Sequence, residues 1–370
     1  MNTKNFEAID LYWRGRFTLG TLSGAGRGER FGFSDVALRH YAIRGGDFIW
    51  GFSLIFWAEV PSSSRRLETS VCGVPLRNPV IAASGTFAYG IEFTRVTDLA
   101  AIGAFVVKGL SREPICGNPA PRIWEADAGM INSIGLQNIG VRAFASDKAP
   151  ALRGLGTPYF VNVFGYAPED YCEVVRVLEN TDGPAGYELN VSCPNTKRGG
   201  ISFGSDPILL GELVAAVRPV TRRPVIVKLS PNVARIQPLA LAAAEAGADA
   251  LSLVNTFIAL AVDARTRRPR IGAGFGGLSG PAIKPIALRL VYEAAQSVRV
   301  PVIGLGGIAT GEDAAEFLIA GATAVQVGTA TFWDPDAPAR VARELDRFLR
   351  DENIATVAQL TGTLRFTTSP

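Results

Sequence analysis

A (β/α)8 TIM barrel is the fold class that two observations predict. From Leu67 onward, short apolar or β-branched runs alternate with helix-compatible stretches, the rhythm of a parallel sheet covered by helices. Eight such repeats over about 270 residues match a closed barrel in both count and size.

The eight strands are expected at Pro79–Ala83, Ala104–Lys108, Tyr159–Phe164, Tyr187–Val191, Val225–Leu229, Ala250–Val254, Val302–Leu305 and Ala324–Val327. Each is a short run of the residue types that suit a pleated, buried surface. Helices are expected at Pro168–Leu178, Pro207–Val217, Ile236–Ala246, Pro281–Ala295 and Glu312–Ala320. Three of these open on proline, which the first helical turn tolerates because its N–H groups have no intrahelical acceptor. Two connections, 109–138 and 256–280, are longer than plain turns and are expected to form loops that contact substrate or close over it.

Residues 1–66 differ from the rest. They hold 12 of the 33 aromatic residues and three of the five tryptophans, with no sustained helical or strand period. This stretch reads as an atypical N-terminal extension, either poorly ordered or a start assigned too far upstream, ending in the linker-like Pro61-Ser-Ser-Ser-Arg-Arg66. The barrel domain is then expected over 67–350, with a C-terminal tail at 351–370. The most apolar run of the extension, Phe48–Val60, is too short to span a bilayer and carries Glu59. The first ten residues lack the basic and apolar regions of a signal peptide. A cytoplasmic protein with no membrane partner is expected.

With 48% hydrophobic and 19% charged residues, the chain has ample material for a large core. A net charge of +3, with both signs interspersed, lacks the concentrated basic face that nucleic-acid binding requires. Cys72, Cys116, Cys172 and Cys193 match no zinc or iron-sulfur spacing, so no metal is expected. The first three read as buried structural thiols in a reducing compartment. The only histidine is His40, so a general base in the main body must be a carboxylate, lysine, tyrosine or cysteine.

Polar and glycine residues fall where a barrel would use them. Lys108, Asn162, Asn190, Lys228, Asn255, Gly306-Gly307 and Gly328-Thr329 each lie at or just past the C-terminal end of a predicted strand, and all those ends open on one face. The two glycine pairs read as tight turns or as a phosphate cradle at the last two strands, where such barrels commonly hold phosphate. Gly272-x-Gly274-x-x-Gly277 and Gly304-x-Gly306-x-x-Ala309 match a dinucleotide fingerprint, but the acidic residue expected about 20 positions after the second is missing. Lys108 and Lys228 end apolar runs and read either as lysines reaching to solvent or as neutralisers of an anion in the pocket. Cys193 sits in the turn Tyr187-Glu-Leu-Asn-Val-Ser-Cys-Pro-Asn195, between Asn190 and Asn195, and reads either as an inert thiol or as a general base.

Five segments together carry a family resemblance. Asn78-Pro-Val-Ile-Ala-Ala-Ser-Gly-Thr-Phe87, Gly129-Met-Ile-Asn-Ser-Ile-Gly-Leu-Gln-Asn138, Glu188-Leu-Asn-Val-Ser-Cys-Pro-Asn195, Val227-Lys-Leu-Ser-Pro-Asn232 and Gly277-Leu-Ser-Gly-Pro-Ala-Ile-Lys-Pro285 resemble class 1 dihydroorotate dehydrogenase. The resemblance runs from about Leu67 to about Pro335 and is strongest to the 1B catalytic subunit.

The resemblance implies an FMN-dependent oxidation of dihydroorotate to orotate in pyrimidine synthesis. It implies Cys193 as the base that takes the C5 proton. FMN would be held by Ser84, Lys108, Gly109, Asn162, Asn190, Lys228, Val254, Gly280, Gly306, Gly307, Gly328 and Thr329. Substrate would be held by Lys108, Asn132, Ser133, Ile134, Gly135, Leu136, Asn190, Asn195, Asn255 and Thr256. A homodimeric core and an electron-transfer subunit bearing FAD and an iron-sulfur cluster, passing electrons to NAD, are implied as partners. The alternatives are a 1A-like enzyme using fumarate, a flavin barrel acting on other dihydropyrimidines or on uridine in RNA, and a non-catalytic sensor of a phosphorylated ligand.

Overall fold

A computed structural model describes residues 65–192 and 203–366. The expectations for the extension over 1–64, for Cys193 and for Asn195 lie outside the described residues.

Eight parallel strands close into a barrel: β1 (Val80–Ala82), β2 (Ala104–Leu110), β3 (Tyr159–Val163), β4 (Gly186–Asn190), β5 (Val225–Lys228), β6 (Ala250–Leu253), β7 (Val302–Leu305) and β8 (Ala324–Val327). They neighbour one another in sequence order, and β8 pairs with β1 to complete the ring. Every predicted strand is therefore present, within one or two residues at each end. These strands are buried on both faces, which is why they read in the sequence as continuous apolar runs such as Val225-Ile-Val-Lys228.

Helices α1 (Pro168–Glu179), α2 (Pro207–Val217), α3 (Gln237–Glu245), α4 (Lys284–Ser297), α5 (Gly311–Ile319) and α6 (Ala337–Asp351) follow β3 to β8 in turn. The first five match the sequence expectations, and their starts have local causes. Asp206 caps α2 by accepting from the N–H groups of Ile208 at 2.8 Å and Leu209 at 3.2 Å, with Pro207 in the first turn. Thr310 and Asp313 cap α5 reciprocally. Helix α6 is additional to the five expected helices, and it buries Val341, Ala342, Leu345 and Leu349 on one face. Beyond it, Val357 and Leu360 are buried, and the Gly362 and Leu364 N–H groups donate to the carbonyls of Leu318 and Ile319.

The barrel interior is layered. Ile81, Val106, Phe160, Ile226 and Ile303 form an apolar plug, joined by Val71 and Leu76 from an antiparallel hairpin of Thr69–Val71 and Val74–Leu76. Above that plug the inward side chains become polar: Asn162, Glu188, Lys228, Ser252 and Gln326, all nearly inaccessible to solvent. The change from apolar to polar filling leaves the open end of the barrel as the chemical end.

The two long connections are not simple loops. Phe257–Leu260, Phe275–Ser279, Gly129–Asn132 and Ile123–Ala126 pair in that order as a four-stranded antiparallel sheet. This corrects the expectation of loops, and within the second connection Val262–Asp263 pairs with Arg268–Pro269 as a short hairpin. Two of the three pairings are local, Ile123–Ala126 with Gly129–Asn132 and Phe257–Leu260 with Phe275–Ser279, but the one that joins them, Met130–Asn132 with Gly277–Ser279, links the two connections across the chain, which no local pattern reveals. One cysteine reading also changes. Cys172 is buried and Cys72 half-buried, whereas Cys116 is exposed. Burial pushes the Cys72 thiol up to about 12, with Asp249 adding to it, and also raises that of Cys172.

Candidate active site

A cavity of ≈ 970 Å³ opens at the C-terminal ends of the strands. All described residues that the sequence assigned to cofactor or substrate line it. They are Ser84, Lys108, Gly109, Asn132, Ser133, Ile134, Gly135, Leu136, Asn162, Asn190, Lys228, Val254, Asn255, Thr256, Gly280, Gly306, Gly307, Gly328 and Thr329. The size is that of a site for a cofactor or drug-sized ligand. A second depression of ≈ 520 Å³ lies against the hairpin of Val262–Asp263 and Arg268–Pro269. It is an open surface feature bounded by Trp124 and Arg270, away from the strand ends, and gathers none of these residues.

One wall is built by carboxamides. Asn255 follows β6 by two positions, and its Nδ2 donates to Asn190 Oδ1 at the end of β4, at 3.2 Å. Asn190 Oδ1 also accepts from the Ser192 N–H at 3.3 Å, and Asn255 Oδ1 accepts from the Thr256 N–H at 2.9 Å. The orientation of both amides is thereby fixed by their neighbours. Asn232 steadies the same corner, donating to the Thr256 carbonyl at 3.0 Å and accepting from the Ile258 N–H at 2.9 Å.

A second wall is the segment Asn132–Leu136. Asn118 Nδ2 donates to the Ser133 carbonyl at 3.0 Å, and the Asn118 N–H donates to the Ile134 carbonyl at 3.0 Å. Asn138 Nδ2 holds the Leu136 carbonyl at 3.0 Å. Gly135 and Leu136 both adopt positive φ, +72° and +57°. A side chain on Gly135 would meet Asn118 at 2.5 Å, so glycine is required there.

At the third side the loops after β7 and β8 meet the end of the antiparallel sheet. Gly307 has φ +81°, and a Cβ on it would lie 2.8 Å from the Gly280 carbonyl oxygen. Thr329 Oγ1 donates to Ser279 Oγ at 2.8 Å, tying the β8 loop to the same point. Backbone rather than side chain thus faces the cavity here, as expected of a phosphate cradle.

The floor is organised around a carboxylate. Glu188, wholly buried, accepts on Oε1 from Asn162 Nδ2 at 2.8 Å, Ser84 Oγ at 3.4 Å and Lys228 Nζ at 3.4 Å. On Oε2 it accepts from Gln326 Nε2 at 2.7 Å and Ser252 Oγ at 3.0 Å. Burial raises its pKa, but the Lys228 ammonium and the hydrogen bonds from Gln326, Asn162 and Ser252 outweigh that and hold it below the usual carboxylate range. The two lysines of the sequence reading consequently differ. Lys228 is compensated by a carboxylate, whereas Lys108 makes no ion pair among the described residues. The Lys108 ammonium is pulled down to about 8 by burial, with Arg122 nearby adding to the effect. An anion is what such a lysine lacks. Glu188, Ser252 and Gln326 carried a sequence signal: each is a polar residue inside an otherwise apolar buried strand.

The chain leaves the described region at Ser192 and re-enters it at Phe203, and Ser192, Gly204 and Ser205 all line the cavity. Among the described residues no cluster of His, Cys, Asp or Glu could hold a metal ion, and no helix is long and apolar enough to cross a membrane.

Comparison with known proteins agrees with this geometry. A family model for dihydroorotate dehydrogenase matches residues 66–349. A Solibacter usitatus protein with the provisional name dihydroorotate dehydrogenase A (fumarate) is 71% identical over 301 residues, covering 81% of this chain and 99% of its own. The dihydroorotate dehydrogenase B (NAD(+)) catalytic subunits of Geobacter sp. strain M21 and Geobacter sulfurreducens are 53% and 54% identical over 298 residues, covering 80% of this chain and 98% of theirs. With the match spanning the whole barrel and its cavity, the chain belongs to the dihydroorotate dehydrogenase family.

Proposed function

We propose that the chain oxidises dihydroorotate to orotate in pyrimidine synthesis, with FMN as the cofactor in the cavity. The observation that carries this reading is the convergence of the carboxamide wall, the glycine cradle and Lys108 on one cavity in a barrel of this family. Two further features fit a flavin nucleotide. The backbone-lined corner at Gly280, Gly307 and Thr329 suits a phosphate, and the buried Gln326 Oε1, which has no hydrogen-bond partner, awaits a donor such as a ring N–H.

In this reading Ser84, Gly109, Asn162, Lys228, Val254 and the four glycines after β6, β7 and β8 hold the cofactor. Asn132, Asn190, Asn195, Asn255 and Thr256 hold the pyrimidine, whose edge alternates donors and acceptors as a carboxamide does. Lys108, lacking a carboxylate of its own, balances the substrate carboxylate. Cys193 follows the cavity-lining Ser192 directly in the chain and takes the C5 proton on Sγ. The C6 hydrogen leaves with its electron pair as the C5=C6 bond forms. FMN, when bound, supplies the acceptor for that pair.

The B (NAD(+)) relatives support re-oxidation by NAD through a second subunit, and the exposed apolar Ile258 and Phe275 at the cavity rim suit a protein partner. The name of the 71% identical relative favours a second reading, re-oxidation by fumarate. Orotate titrated into the FMN-loaded chain tests the shared part: a saturable change in the flavin spectrum is expected, and no change at millimolar orotate contradicts it.

A further inference from the structure

The mechanism leaves one buried charged group unused. Glu188 receives five hydrogen bonds, from Ser84, Asn162, Lys228, Ser252 and Gln326, and these donors come from β3, β5, β6, β8 and the second residue after β1. A structural purpose alone is a poor explanation. Burying an ion pair gains little over well-packed apolar side chains, and the layer directly below is apolar.

We propose that Glu188 is a positioning residue that holds Lys228 in place and cancels most of its charge, so that the cavity floor presents a dipole rather than a net cation to the bound cofactor. This rests on the flavin reading of the cavity. Lys228 Nζ reaches both Glu188 Oε1 and Ser84 Oγ, at 3.4 and 3.5 Å, which fixes the ammonium at the cavity wall. Reduction places negative charge on a flavin. A lone cation beside it would stabilise the reduced form, and a carboxylate behind that cation withdraws most of the benefit. The cofactor is thereby kept easier to re-oxidise, which suits an enzyme that must hand its electrons on each turnover.

Glu188→Gln is the informative substitution because the surroundings accommodate it. The Ser252 hydroxyl, 3.0 Å from Glu188 Oε2, can turn and accept from the new carboxamide N–H. The measurement is a reductive titration of the FMN-loaded full chain against a reference dye. At fixed potential, the ratio of reduced to oxidised flavin is expected to rise by about tenfold or more in Glu188→Gln, the order expected for one uncompensated charge nearby. An unchanged ratio in a variant that binds FMN as the parent does overturns the inference while leaving the flavin reading intact. A parent chain that takes up no FMN overturns both. Should Glu188→Gln not fold, the Glu188→Gln/Lys228→Gln double variant, which removes both charges, decides the matter. A ratio within about threefold of the parent is expected for a compensated pair, and a fall of about tenfold or more, as for loss of a lone cation, overturns the inference.

Discussion

Lys228 Nζ lies 3.4 Å from Glu188 Oε1 with both side chains almost wholly removed from water. Removing one partner strands a buried charge, so Glu188→Ala and Lys228→Met are each expected to destabilise the barrel by roughly 3–5 kcal/mol. Urea midpoints measure this. The depressed carboxyl pKa also sets an acid dependence. This stability is present above the unfolded-state value and lost as the pH falls through the lower folded-state value, so the parent should lose it in acid while Glu188→Gln does not.

Lys108, with its pKa pulled down to about 8, gives ligand binding an alkaline limit. The protonated lysine is the form that balances an anion. Orotate affinity of the FMN-loaded chain should hold below pH 8 and weaken above it, approaching about tenfold per unit. In Lys108→Arg, whose charge persists, the profile should be flat over the same range.

The hydrogen bond from Asn255 to Asn190 fixes two amides that line the cavity and that the proposed function assigns to substrate. Asn255→Ala should raise the KM for dihydroorotate by about tenfold, the loss of one or two hydrogen bonds, and leave FMN content unchanged. Steady-state kinetics with flavin absorbance on the same preparation reads both.

Cys193 is the only thiol in the strand-end turn, and no histidine follows residue 40. Cys193→Ala should slow flavin reduction by dihydroorotate by about 10²- to 10⁴-fold, the usual contribution of a general base. Cys193→Ser should restore part of that rate at high pH. Stopped-flow absorbance under anaerobic conditions measures it.

The legible and illegible parts of this protein divide along physical lines. Strands such as Val225–Lys228 and Ala324–Val327 are covered on both faces, so their composition alone marks them, and the residues at their C-terminal ends line the cavity. The antiparallel sheet was not legible. Phe275-Gly-Gly-Leu-Ser279 and Gly129-Met-Ile-Asn132 are glycine-rich and half-exposed, and they pair with each other across the chain as well as with a nearby strand each. Glu188 was visible as a carboxylate within an apolar run. That it points inward and meets Lys228 depends on the barrel register, in which Asn190 pairs with Lys228 and Asn162 with Glu188. The exposure of Cys116 follows from the same long excursion after β2.

The assignment as a whole meets its most direct test in one anaerobic mixing experiment. The FMN-loaded full chain is combined with (S)-dihydroorotate, and flavin absorption is followed together with orotate. The expected result is loss of the oxidised flavin's visible absorption with formation of an equimolar amount of orotate. A flavin that stays oxidised, with no orotate formed although FMN is bound, would contradict it.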